Sequence, residues 1–328
     1  MTVTTDRTDL GGFNITVVIP AYQAERTIEE VLTTLPGFVR QVIVVNDGSP
    51  DMTAAKVERL AKGDQRIILL NHETNHGVGA AMVTGFRKAL ELAAQVVVKV
   101  DADGQMAPAG IAELVEPLVL GQADFAKGNR FRVGLSLGRM PFIRRLGNTG
   151  LAFLAKAATG YWNCFDPTNG FIAIRGDLLR KLLMERIDKS YFFEISLLSE
   201  LYLLEAVIRE VPMRARYGEE ISSLSIGKVV LSFPPKLLTA LIRRIFLRYF
   251  VYDFSLGSLY LTIGIPLLLF GLAFGGYNWI RYSQLGTLTP TGTVMLATLP
   301  VILGFQLILS AIGFDLQSVP REPVAKPL

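Results

Sequence analysis

In 328 residues the chain has one cysteine and two histidines. A lone Cys164 excludes an internal disulfide and suits a reducing compartment; it reads as a small core residue. His72 and His76 fall together in NHETNHG, and no further Cys or His completes a zinc set. They read as loop residues near a site rather than as ligands. No signal-peptide pattern opens the chain: MTVTTDRTDLGGFN is polar with acidic residues, and residues 1–13 read as a disordered leader. The most uneven shortage is of charge. After residue 253 the only charged side chains are Arg281, Asp315, Arg321, Glu322 and Lys326. Mean hydropathy is +0.38, high for a soluble enzyme, and the excess lies in that tail. The chain therefore divides into a charged globular part and an apolar end.

Short apolar runs alternate with helical patterns through the first hundred residues. Residues 15–20 (ITVVIP), 41–46 (QVIVVN), 67–71 (IILLN) and 96–100 (VVVKV) read as strands. Residues 25–36, with Ile28, Val31, Leu32 and Leu35 at helical spacing, then 53–62 and 79–94 read as helices. This order predicts a parallel, doubly wound sheet, in which ligands sit beyond the carboxyl ends of the strands. Those ends carry Pro20, Tyr22 and Glu25, then Asp47 and Asp51, then the loop 75–79, then Asp101 and Asp103.

Side chains alternate along an extended segment, so Asp101 and Asp103 point the same way, with Gln105 following. Two carboxylates so close repel each other unless a cation or a proton intervenes. One reading is a solvated Asp-Gly turn capping a helix. The other is a divalent ion, Mg2+ or Mn2+, held by hard oxygen ligands and substrate phosphates. The end of a buried strand, with three polar strand ends beside it, favours the ion. Asp47 in NDGSPD is either a turn residue or an acceptor for a nucleobase or ribose. Gly77 and Gly79 open a helix, where backbone N–H groups could approach an anion.

VVIPAYQAERTI, VIVVNDGSPD, NHGVGAA and VKVDADGQ, in that order, resemble the family-two glycosyltransferases of the GT-A fold. The resemblance implies an α/β, Rossmann-like GT-A domain and a nucleotide-sugar donor, UDP- or GDP-linked. It carries the nucleotide contact onto Asp47 and the metal-binding DxD onto Asp101 and Asp103. Further on, GNR at 128–130, RRLGN at 144–148 and DPTNGF at 166–171 resemble the polyprenyl-phosphate glycosyltransferases, a branch that includes dolichol-phosphate mannose synthases. Asn169 stands where that branch usually has Ser. The resemblance implies lipid-phosphate contacts at Arg130 and at Arg144 or Arg145, and guanidinium groups suit the meeting of two anionic substrates. Asp166 is the candidate catalytic carboxylate, either as a base for an acceptor hydroxyl or as a group that holds arginines; a phosphate acceptor needs positioning more than a base. Glu194 in YFFEISLL either faces the acceptor or is a helix-surface or Arg-paired glutamate.

Residues 254–280 and 291–314 carry no charge and are each long enough to span a bilayer, the first closed by Tyr277 and Trp279. They read as a hairpin within 254–316. Before it, residues 227–253 read as a basic amphipathic juxtamembrane segment on an anionic leaflet, and within it SFPPKLLTALIRRIFLRYFVYD reads as a helix with Pro234 and Pro235 in its first turn. Leu238, Leu241, Ile242, Ile245, Phe246 and Tyr249 form one face; Lys236, Arg243, Arg244 and Arg248 lie elsewhere. RYGEEISSLSI just upstream reads as a mobile loop over the donor pocket. The catalytic domain then covers 14–226, and 317–328 is a tail. The positive-inside rule places the head and both termini in the cytoplasm. The expected activity is inverting sugar transfer onto an undecaprenyl-type polyprenyl phosphate, for cell-envelope biogenesis. The alternatives are another membrane lipid acceptor (a lipid-linked saccharide, diacylglycerol or ceramide) and a catalytically silent binding protein. Family likeness implies a homo-oligomer and no nucleic-acid partner.

Overall fold

The computed structural model describes residues 10–130, 142–213, 226–324 and 327–328, with backbone alone at 142–149, 151 and 226–232. The chain divides into two compact units, Met1–Leu241 with Pro320–Leu328, and Ile242–Val319.

In the first unit seven strands form one sheet: β1 (Ile15–Ala21), β2 (Gln41–Asn46), β3 (Ile67–Asn71), β4 (Val96–Lys99), β5 (Phe125–Asn129), β6 (Ile172–Arg175) and β7 (Ile208–Pro212). Their order is β3-β2-β1-β4-β6-β5-β7. The first four are parallel, as the strand–helix alternation predicts. The sheet as a whole is mixed, because β6 runs antiparallel to both β4 and β5, while β5 and β7 are parallel. That reversal matters for the site. A reversed strand brings the residues before it, 165–171, to the carboxyl ends of its neighbours. Lys99 on β4 pairs with Ile172 on β6, and Ile172 pairs with Lys127 on β5. The three lie in one row, so both lysines leave the sheet on the same face.

Helices α1 (Ile28–Thr33), α2 (Thr53–Ala61) and α4 (Ile111–Val119) cover one face, where Val96, Val98, Ala126 and Ala173 join the main core. The other face meets α3 (Val78–Glu91), whose Gly85 sits against Val18. α5 (Phe142–Thr159), α6 (Gly176–Leu179), α7 (Phe193–Leu203) and α8 (Ile226–Phe246) complete the helices reached before the apolar end. Within the expected leader, Leu10 is buried in the core at a short 3-10 turn, Leu10–Gly12, and residues 1–9 lie outside the described residues. The tail also belongs to this unit: Val324 N donates to Asp124 Oδ2 at 2.9 Å and Leu328 N to the Val119 carbonyl at 3.3 Å.

The second unit holds a π-helical turn (Leu247–Tyr252) and two long helices, α9 (Leu256–Leu285) and α10 (Thr291–Gln317). Ser255 and Ser258 form a capping box at the start of α9. Gly264 and Gly304 let the two backbones touch, the small-residue contact usual between helices in lipid. Both helices are long and apolar enough to cross a membrane. Arg244 places a bidentate pair on Asp315 of α10, at 2.8 and 2.9 Å, and Tyr249 Oη donates to the same carboxylate at 2.6 Å. Arg244 is therefore buried, not displayed to a leaflet. Pro234 and Pro235 lie well inside α8 rather than at its start. Packing of Phe233 and Leu237 against α5 and α7 outweighs the local preference of proline for a first turn.

Candidate active site

The centre of the site is a lysine that an apolar strand would not ordinarily contain. Lys99 is 1% exposed. Its ammonium reaches Asp101 Oδ1 at 2.5 Å, Glu194 Oε1 at 3.3 Å and the Gly170 carbonyl at 3.3 Å. Three acceptors match its three donors, which is what keeps a buried cation tolerable. Burial depresses its pKa, but the charges of Asp101 and Glu194 outweigh that and hold it above the ordinary lysine value. Gly170 is dictated by this contact. A Cβ there would overlap Lys99 Nζ and come 2.6 Å from Asp101 Oδ2.

Two strands away in the same row, Lys127 is equally buried and donates to the Asn169 carbonyl. Burial lowers its pKa, with partial compensation from Cys164, Glu194 and Asp166 nearby. Arg130, just past β5, makes a bidentate pair with Asp166, Nε to Oδ2 at 2.8 Å and Nη2 to Oδ1 at 2.9 Å. Asn169 Nδ2 adds a third bond to that carboxylate at 3.3 Å, and Asn169 Oδ1 accepts from Phe171 N at 2.9 Å. Asn169 thus braces the turn in the place of the branch's Ser. Glu210 on β7 anchors the turn from below, accepting from Phe165 N at 2.7 Å, Asp166 N at 2.9 Å and Asn129 Nδ2 at 2.7 Å. Cys164 is buried against it, and desolvation pushes its thiol up to about 12.

Asp47 is buried and engaged by the loop 72–77. It accepts from His72 Nδ1 at 2.7 Å, His76 N at 3.0 Å and Gly77 N at 2.8 Å. His72 Nε2 faces Thr84 Oγ1 at 3.0 Å. The space left by Gly77 and Gly79 is filled by the chain itself: Gly79 N and Ala80 N donate to the Lys189 carbonyl, and a Cβ at Gly77 would lie 2.5 Å from that oxygen. Glu25 and Asp51 tie their two loops together: Glu25 Oε2 accepts from Met52 N at 3.1 Å and Asp51 Oδ2 accepts from Glu25 N at 3.3 Å. Pro20 pairs with Val45 within the sheet, and Tyr22 is exposed at the rim.

Asp103 Oδ1 accepts from Gln105 N at 2.9 Å, so the turn reading and the ligand reading share one residue. Among the described residues no three His, Cys, Asp or Glu side chains converge as a metal cage. Two hard carboxylates at an open strand end fit Mg2+ or Mn2+, which take only one or two such ligands and complete the shell with phosphate and water. Arg144 and Arg145 lie on α5 with their side chains outside the described residues, and the expected mobile loop at 216–226 lies almost wholly outside them.

The structure thus joins Asp101, Glu194, Asp166 and Arg130 into one neighbourhood and adds Lys99, Lys127, Asn169 and Glu210. The signal for the lysines was in the sequence, as single lysines inside VVVKV and DFAKGN.

Residues 16–183 match the family model described as glycosyl transferase family 2. The chain is 31% identical over 220 residues to the UDP-N-acetylglucosamine–dolichyl-phosphate N-acetylglucosaminyltransferase of Methanococcus voltae, covering 62% of this chain and 86% of that one. It is 30% identical over 202 residues to the undecaprenyl-phosphate mannosyltransferase of Micrococcus luteus, covering 61% and 82%. In fold it is similar to glucosyl-3-phosphoglycerate synthase from Mycobacterium tuberculosis, solved with Mn2+, UDP and glucosyl-3-phosphoglycerate, with a TM-score of 0.54, 21% identity, and coverage of 74% and 85%. The chain belongs to glycosyl transferase family 2, within the polyprenyl-phosphate branch of its GT-A enzymes.

Proposed function

We propose that this glycosyltransferase moves a sugar, with inversion, from a nucleotide-sugar to a polyprenyl phosphate of the undecaprenyl type at the cytoplasmic face of a membrane. The observation that carries the acceptor class is the state of Asp166. Both its oxygens are taken by Arg130, and Asn169 adds a further bond. A carboxylate so engaged is poorly disposed to deprotonate a hydroxyl. A lipid phosphate arrives ionised and needs no base. Its oxygen attacks the anomeric carbon, the new C–O bond forms as the bond to the donor's diphosphate breaks, and the nucleoside diphosphate leaves with the electron pair. Arg130, held in its fork geometry by Asp166, supplies directed charge to the incoming phosphate. Arg144 or Arg145 on α5 would add to it. The named relatives use lipid-phosphate acceptors, which supports the same reading.

Asp101 and Asp103, with Gln105 beside them, would hold Mg2+ or Mn2+, whose charge offsets that developing on the departing diphosphate. Lys99 fixes Asp101, and Glu194 fixes Lys99, so the ligand is set before the donor arrives. Pro20, Tyr22, Glu25, Asp47, Gly77 and Gly79 line or shape the donor side, Asp47 by ordering the loop 72–77. The base of the donor nucleotide, UDP or GDP, would be selected there.

α9 and α10 would form the transmembrane hairpin, and α8 with the following turn would lie at the lipid surface as the juxtamembrane segment. The bonds from Val324 and Leu328 to the head support a C-terminus on the same side as the catalytic domain. The test is Arg130→Lys in a transfer assay on membranes. Lysine keeps the charge and loses the fork, so KM for the lipid phosphate should rise about tenfold or more with the donor KM unchanged. An unchanged acceptor KM would remove Arg130 from the acceptor site.

A further inference from the structure

The first unit exposes an aromatic patch beside the Asp166 turn. Phe153 is 57% exposed, Leu154 46% and Phe165 58%. Phe153 and Leu154 lie on α5, and Phe165 directly precedes Asp166. They are knit together. The Phe153 ring meets Trp162 edge-on at 5.5 Å, and Lys156 Nζ lies 4.2 Å over the Phe165 ring while donating to the Trp162 carbonyl at 3.1 Å. An ordered cluster of apolar rings around one cation, outside any core, marks an interaction surface.

Two observations name its partner. First, α5 and α8 share one small core through Ala155, Ala158, Phe233 and Leu237, and each exposes large apolar side chains outside it, Phe153 and Leu154 on α5 and Leu238 on α8. Second, its composition of aromatic rings and a lysine whose stem lies along them is that of a bilayer interface, where rings sit at headgroup depth and the ammonium meets lipid phosphate. We propose that Phe153, Leu154, Trp162, Phe165 and Lys156 form a lipid-contact surface on the catalytic head, which rests on an anionic leaflet and presents the Asp166 turn to acceptor headgroups. This deepens the reading of a membrane-bound acceptor and rests on it for its purpose, though not for its test.

The chain has only two tryptophans, Trp162 and Trp279. Trp279→Phe therefore leaves Trp162 as the sole indole, a reporter within the patch. The full chain carrying W279F is placed in phosphatidylcholine–phosphatidylglycerol vesicles, with or without lipid brominated near the glycerol end of its acyl chains. The proposal expects Trp162 emission to fall at least twofold with brominated lipid and to resist aqueous acrylamide. Emission indifferent to bromine and open to acrylamide overturns it. Emission shielded from both overturns it too, since a second copy then covers the face. A second arm sets Phe165→Asp and Phe153→Asp in the transfer assay. Each should raise KM for the lipid acceptor about tenfold and leave the donor KM unchanged, as loss of one ring from an apolar phase implies. Normal quenching with no transfer to any lipid phosphate would sink the acceptor reading and leave the surface standing.

Discussion

Replacing Lys99 by methionine is the most informative single change in the head. The side chain keeps its length and loses its charge. It leaves Asp101 and Glu194 facing each other's charge in a largely buried site where solvent screens poorly. Removing one partner of a buried ion pair costs about 3–5 kcal/mol, because the remaining charge keeps its desolvation penalty. At roughly 2–4 °C per kcal/mol for a domain of this size, the melting temperature should fall by roughly 10 °C. Glu194→Gln in the same chain should return part of that loss, on the order of 1–3 kcal/mol, since it removes the stranded charge. Circular dichroism of the purified full-length protein in detergent, on wild type, both single variants and the double, reads the cycle. Transfer activity should drop in K99M and stay low in the double variant, because Asp101 has lost its anchor in both. A K99M melting point within about 1 °C of wild type, or additivity of the two changes, would refute the claim that Lys99 holds these carboxylates.

Other consequences are as direct. Gly170→Ala should abolish most turnover with a smaller loss of stability, because the added Cβ overlaps Lys99 Nζ and displaces Asp101; full activity would show that the loop gives way freely. Cys164, with its thiol pushed up to about 12 by burial, should resist maleimide at pH 8 in the folded protein and react only on unfolding. The sign of the linkage follows: the unfolded thiol ionises near its ordinary 9 while the folded one does not, so this group's stabilisation is complete below pH 9 and is lost as pH rises toward 12. A Cys164→Ala variant whose alkaline melting curve matches wild type would contradict it. Asp315→Asn should destabilise the hairpin unit by about 3–5 kcal/mol by stranding buried Arg244, and Arg244→Met with Asp315→Leu should recover much of that, read as detergent-resistant fold.

The parallel half of the sheet was legible because its strands are uninterrupted β-branched runs ending on polar residues. QVIVVN and IILLN coincide with β2 and β3 residue for residue. The other three strands were not, because FAKGN, IAIR and IREVP mix glycine, lysine and arginine into segments too short to show a period. Their pairing is long-range, and only that pairing reveals that residues 165–171 face β4. Asp101, Asp166 and Arg130 were visible as motif residues; that Asp166 grips Arg130 depends on the reversal of β6, which no local pattern states. Lys99 and Lys127 were overlooked for different reasons: Lys99 sits in a run whose apolar neighbours dominate the reading, and Lys127 in a segment that does not read as a strand at all. The proline pair in α8 misplaced a helix start because local proline chemistry was weighed without the packing of Phe233.

The central claim is sugar transfer to a lipid phosphate. Membranes containing the chain would receive polyprenyl phosphate, or the matching polyprenol, with a divalent ion and a panel of radiolabelled UDP- and GDP-sugars. The account predicts that label from one donor enters the organic phase with the phosphate and not with the alcohol, that chelation stops it, and that Asp103→Ala does the same. Transfer to the alcohol, or to another lipid while the phosphate stays unlabelled, would contradict it.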